Sequence, residues 1–119
     1  MSGFSSIEML QSYLKVLTDR QQMIVSNMAN IDTPGYHTKD LNFQAAIRRV
    51  MDEGDSGSSA ALEPASFETQ GLPERPDGNN VSVDRESMLL AQTQLQFQLG
   101  VQLVKSQLHM VISAIKDGT

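Results

Sequence analysis

Two apolar heptad seams, one near each end of the chain, constrain the fold more than any other feature. Ile7, Leu10, Leu14, Leu17, Gln21, Ile24, Met28 and Ile31 recur at alternating intervals of three and four residues, the spacing that keeps one face of a helix against a partner helix. Leu90, Gln94, Phe97, Val101, Val104, Leu108, Val111 and Ile115 do the same toward the other end. A single glutamine interrupts each seam. The spacing predicts an all-α fold in which long N- and C-terminal helices pair as a coiled coil, with a short middle helix and a flexible or extended linker between them. Each long helix also carries a second apolar row: Met9, Val16 and Met23 on the first, and Met88, Leu95, Leu99, Leu103 and Met110 on roughly the opposite face of the last. One helix partner cannot cover both faces. The second rows are therefore expected to meet other subunits, the alternative being that the short helix covers them.

The ends of the helices are marked. Ser5 and Glu8 have the spacing of a capping box, and Phe4 and Met9 that of a hydrophobic staple, predicting a start near Ser6. The stop lies in Ala29-Asn30-Ile31-Asp32-Thr33-Pro34-Gly35-Tyr36. Pro34 removes a donor and drives Thr33 out of the helical region, while Gly35 supplies the positive φ of a type II turn. The last helix is expected over 83–117, capped by Ser82 or Asp84, with Asp84 and Glu86 at the positive end of its dipole, Lys116 at the negative end and Gly118 just beyond. Gly100 lies within it, either to admit a close backbone approach or as a tolerated surface glycine. At about 1.5 Å per residue the two helices span about 38 and about 50 Å.

Between them, Asp40 is placed to cap a short amphipathic helix near 41–51 that presents Phe43, Ala46, Ile47, Val50 and Met51. From Asp52 to Asn80 the Gly, Ser and Pro content reads as flexible or extended chain. The chain divides into 1–36, 37–76 and 77–119, with the first and last expected to form one structural unit. Asp52, Glu53, Asp55, Glu63, Glu68 and Glu74 stand against Arg75 alone in the middle, so this stretch carries the entire net charge of −5. The rest is balanced, and Arg48-Arg49 is the one basic pair. Nucleic acid is an unsuitable partner for such a surface.

Chemistry-bearing residues are sparse. There is no cysteine, hence no disulfide framework or thiolate metal site. His37 and His109 have no ligand spacing and read as surface histidines. Asp77-Gly78-Asn79-Asn80-Val81-Ser82 begins like a calcium loop but puts Val81 where an oxygen ligand belongs, Ser82 where the loop needs glycine and Met88 where the bidentate glutamate should come. Asn80-Val81-Ser82 matches a glycosylation sequon without a preceding signal peptide. Asp84 and Glu86 need no acid-base role beyond the helix dipole, and the nucleophile, zincin and phosphate-loop motifs are absent. No catalytic, cofactor or metal residue is assigned, and no apolar run reaches membrane-spanning length.

Ser26-Asn27-Met28-Ala29-Asn30-Ile31-Asp32-Thr33-Pro34-Gly35-Tyr36 resembles the N-terminal signature of the bacterial flagellar rod and hook proteins. Asp77-Gly78-Asn79-Asn80-Val81-Ser82-Val83-Asp84-Arg85-Glu86 and the glutamine-rich 91–98 narrow the resemblance to a proximal rod subunit. The likeness covers both ends and the region of Asp40, and fades between 52 and 72. His37 stands where the resemblance leads one to expect a basic residue, and Ser82 where it leads one to expect an acid. It implies a non-enzymatic, structural protein of the basal body, exported without a cleaved signal by the flagellar type III apparatus and polymerising in the periplasmic rod. Implied partners are itself, the other rod proteins and the small adaptor that joins rod to ring. The rival readings are another proximal rod subunit, a soluble coiled-coil adaptor or export chaperone, and a peptidoglycan-cleaving enzyme.

Overall fold

The computed structural model describes residues 3–53 and 66–118. Along the chain run α1 (Gly3–Ala29), β1 (Lys39–Leu41), α2 (Phe43–Glu53), β2 (Ser66–Glu68) and α3 (Val83–Asp117). The molecule is slender, 68 × 26 × 19 Å, with a radius of gyration of 17.8 Å against about 13.5 Å for a compact chain of this length. Two paired helices set that shape.

α1 and α3 pack in opposite directions, since Asn27 bonds Glu86 while Leu14 lies against Gly100. The first seam behaves as its spacing predicts: Ile7, Leu17 and Ile24 are buried, and Leu10, Leu14, Gln21, Met28 and Ile31 are half-buried. The last seam is displaced. Leu90, Phe97, Val101, Val104 and Val111 are half-buried, but Gln94, Leu108 and Ile115 face solvent. The most buried positions of α3 are instead Glu86, Thr93 and Gly100, seven residues apart and none of them a large apolar side chain. A Cβ on Gly100 would lie 2.6 Å from Leu14 Cδ2 and 3.5 Å from Tyr13 Cδ2. The two helices thus approach closely at Gly100, and they touch along a narrow line of small and polar residues flanked by apolar ones.

The second row of α1 is covered within the chain. Val16 forms a buried cluster with Leu41 and Ala46, and Met23, Phe43, Ala45 and Ile47 pack against it. Tyr13 meets Phe43 edge to face at 5.6 Å. Of that row only Met9 is left exposed. The alternative, in which the short helix covers the second row, therefore holds for α1. It does not hold for α3, whose Met88, Leu95, Leu99, Leu103 and Met110 are 52–64% exposed.

Several boundaries differ from expectation. α1 starts at Gly3, so the predicted start near Ser6 falls inside the helix. α2 begins at Phe43, later than predicted, because its cap is Asn42: the Asn42 side chain accepts from the Ala45 amide at 3.1 Å and its carbonyl accepts from Ala46. Asp40 is committed elsewhere, as described below. α3 is capped by Ser82, whose Oγ accepts from the Arg85 amide at 3.2 Å. Gly118 follows α3 with φ −80, leaving its left-handed freedom unused. The expected extended linker is partly ordered: β2 pairs antiparallel with β1, Lys39 opposite Glu68 and Leu41 opposite Ser66, and 69–82 returns the chain to α3. Residues 54–65 of that linker lie outside the described residues.

Candidate functional site

The two signature segments, 26–36 and 77–86, separated by forty residues in sequence, close on each other where α1 ends and α3 begins. A helix terminus leaves carbonyls without partners; those of Ser26, Asn27 and Met28 are taken by the Asn30 and Ile31 amides, and distant side chains take the carbonyls of the turn that follows α1. Asn79 Nδ2 donates to the Asn30 and Thr33 carbonyls, both at 2.8 Å, and its Oδ1 accepts from the Val81 amide at 2.8 Å. The Arg75 guanidinium donates to the Ile31 carbonyl and, at 3.0 Å, to that of Val81. The predicted turn forms beneath them: the Tyr36 amide donates to the Thr33 carbonyl at 3.2 Å, and Gly35 has φ +75. Gly35 donates to the Asp77 carbonyl at 2.8 Å. Gly78, at φ +85, lies so close that a Cβ on it would sit 3.4 Å from Gly35 Cα.

Asn80 extends the closure. Its amide donates to the Tyr36 carbonyl at 3.2 Å, its Oδ1 accepts from the Thr38 amide at 2.7 Å, and its carbonyl accepts from Thr38 Oγ1 at 3.3 Å. Thr38, Asn79 and Asn80 are buried. The segment that began like a calcium loop spends its side chains on backbone: Asp77 Oδ1 takes the Asn79 amide at 3.0 Å, and Asn79 and Asn80 are used as above.

Asn27 is the centre. It is wholly buried and uses its full hydrogen-bonding capacity of two donors and two acceptor sites. Nδ2 donates to the Lys39 carbonyl at 2.8 Å and to Glu86 Oε1 at 3.0 Å. Oδ1 accepts from Tyr36 Oη at 3.0 Å and from the Lys39 amide at 3.1 Å. In an antiparallel ribbon alternate residues turn their backbone groups away from the partner strand. Lys39 is such a residue, and the Asn27 amide bonds both of its groups as a third strand would.

Around Asn27 runs a chain of alternating charge. Arg20 donates to both Asp40 oxygens at 3.2 Å, and Asp40 Oδ1 also takes the Leu41 amide at 2.7 Å. Arg85 lies 3.7 Å from Asp40 and donates to Glu86 Oε2 at 2.6 Å. Glu86 is fully buried, so its role exceeds that of an acid at a helix start. Two arginines and two carboxylates thereby join α1, β1 and α3. Removing one member leaves a buried charge uncompensated, which costs more than the intact pair contributes.

His37 lies at the rim, with Nδ1 3.2 Å from Glu68 Oε1 and Nε2 3.3 Å from Glu74 Oε2. Two carboxylates facing this position account for the basic residue the resemblance led one to expect. The carboxylates sit on separate ring nitrogens and do not converge on a common point. Among the described residues no group of three histidines or acids is arranged to hold a metal ion. His109 is exposed on α3, far along the helix from His37.

Sequence reasoning located the two motifs but passed over Asn27, Arg75, Thr38 and the Arg20–Asp40–Arg85 links. One signal was present. Asparagine is a poor interior helix residue because its side chain competes for backbone groups, so Asn27, two residues inside the end of α1, marks a tertiary partner.

The two segments thus close into a clasp at the α1–α3 junction. No family model matches the chain. It is 30% identical over 125 residues to the flagellar basal body rod protein FlgB of Yersinia enterocolitica, covering 91% of both chains. It is 29% identical over 131 residues to the FlgB of Escherichia coli (strain K12), covering 96% of this chain and 95% of that one. With the FlgB of Aeromonas hydrophila it shares 27% over 117 residues, 89% of each.

Proposed function

The chain belongs to the FlgB family of flagellar basal body rod proteins, and on that premise we propose that it is a structural subunit of the proximal rod, polymerising through its terminal helices into the drive shaft that carries torque across the periplasm. The observation that carries this reading is the uncovered row of α3. Met88, Leu95, Leu99, Leu103 and Met110 lie on one long face, each more than half exposed, while Val16 and Met23 of the corresponding row of α1 are covered from within the chain. An exposed apolar surface of this extent marks an interface. Residues 1–36 and 77–119 act as one unit, bound by the clasp.

The clasp serves stiffness. Its carboxylates Asp40 and Glu86 are engaged by arginines and by amide donors, an arrangement suited to holding geometry, and we assign the chain no catalytic, cofactor or metal site. In this reading its partners are itself, the other rod proteins and the ring-to-rod adaptor, with the flagellar type III apparatus met in transit and no cleaved signal. No described helix is long and apolar enough to cross a membrane.

The test is the double substitution Leu95→Glu and Leu99→Glu. Both side chains are 58% exposed, so fold stability should change by no more than about 0.5 kcal/mol each. Export of the subunit should continue while its recovery in purified basal bodies is lost. Normal motility of the variant overturns the proposal.

A further inference from the structure

We propose that Met88 and Met110 make the assembly face of α3 sensitive to peroxide-class oxidants before the subunit is incorporated. The inference rests on reading that face as a subunit contact. The two thioethers flank Leu95, Leu99 and Leu103 on one face of α3 and are 64% and 53% exposed. Met23 and Met28, by contrast, are half-buried, Met23 against the Val16 cluster.

Hydrogen peroxide reaches an exposed sulfur readily. The sulfur attacks one peroxide oxygen, the O–O bond breaks, an S–O bond forms and water leaves; the sulfur is oxidised by two electrons and the peroxide reduced by two. The product replaces a flexible apolar side chain with a polar one. Burying that oxygen in an apolar contact without a donor weakens association by roughly tenfold for each sulfoxide. In the free subunit the same change is tolerated, because both side chains already face water. The face is thus vulnerable before assembly and shielded after it.

The experiment treats the purified full chain with hydrogen peroxide, locates sulfoxides by peptide mass and removes the oxidant. Co-assembly with the other rod proteins is then read by sedimentation. Met88 and Met110 should oxidise several-fold faster than Met23 and Met28, and association should fall by roughly tenfold or more. Methionine sulfoxide reductase should restore it. For the variant Met88→Leu with Met110→Leu, a swap of similar volume, peroxide-treated and untreated protein should associate equally, whatever the untreated level. Met9, exposed on α1, is oxidised in both proteins and shows that the treatment worked. Unchanged association of the oxidised wild type, or equal loss in the leucine variant, overturns the proposal. Untreated Leu95→Glu with Leu99→Glu, run alongside, separates the two ideas. If it associates normally, the face is no contact and both fall; if it fails while oxidised wild type assembles, only the methionine proposal falls.

Discussion

Asn27→Asp changes almost no volume, yet it should be among the most damaging substitutions in the chain. The wild-type amide donates to the Lys39 carbonyl at 2.8 Å and to Glu86 Oε1 at 3.0 Å. An aspartate has no hydrogen to give either, and sets an oxygen against a carbonyl and a carboxylate. The lost bond to a charged acceptor is worth about 1.5–3 kcal/mol and the lost neutral bond about 1 kcal/mol. Two carboxylates at contact distance repel by about 4 kcal/mol at an effective dielectric constant of about 20, a sum that protonation of one of them reduces. The expected loss is about 5 kcal/mol, a third or more of what a typical domain possesses. Urea unfolding of the purified chain, followed by circular dichroism, measures it. Glu86→Gln supplies the diagnostic second change. Alone it sets one amide against another and should destabilise by about 2 kcal/mol. Combined with Asn27→Asp it returns a donor to the broken bond, since the glutamine amide can give to the new carboxylate while its oxygen keeps Arg85. The double variant should therefore be about 2 kcal/mol more stable than Asn27→Asp alone, a strong departure from additivity. If Asn27→Asp stays within about 1 kcal/mol of wild type, or if the two changes simply add, Asn27 is not the junction described.

Gly35→Val should cost about 2 kcal/mol through backbone strain alone, because Gly35 sits at φ +75 with open space around its missing Cβ; thermal unfolding reads the effect. His37→Ala and Asp32→Ala, in contrast, should each change stability by less than about 1 kcal/mol, since both groups lie toward the surface and the carboxylates beside the histidine, Glu68 and Glu74, are solvent-exposed. Gly100→Val should destabilise by about 2 kcal/mol. Gly100→Ala should come out near zero, helix propensity offsetting the displacement of the Leu14 methyl. Ser82→Ala removes the cap of α3 and should lower stability by about 1 kcal/mol, whereas Ser82→Asp should retain it.

The first seam, the stop at Pro34–Gly35 and the span of α3 were legible because each rests on local chemistry, whereas the line that α3 buries, through Glu86, Thr93 and Gly100, is not the apolar seam its period marks. The resemblance to flagellar rod and hook proteins was legible for the same reason, its motifs being contiguous. Misplaced boundaries came from competition. Asp40 has the chemistry of a cap, but Arg20 and Arg85 claim it, and Asn42 caps α2 instead. β1 and β2 are three residues each, too short to carry an alternating pattern.

What the amino-acid sequence determined by itself is that this chain ends in two long helices that must meet, and that a rigid turn closes the first. Only the tertiary structure decided which faces are spent inside the molecule. Periodicity shows that a helix has two apolar rows but not which one a neighbour covers. Here α2 covers the row on α1, and the row on α3 is left open. The same holds for the polar residues. Arg75, Asn79 and Asn80 are ordinary surface types in a linear reading, and their partners lie up to 49 residues away. A hydrogen bond depends on where the donor and acceptor finally stand, and that is set by the packing of α1 against α3.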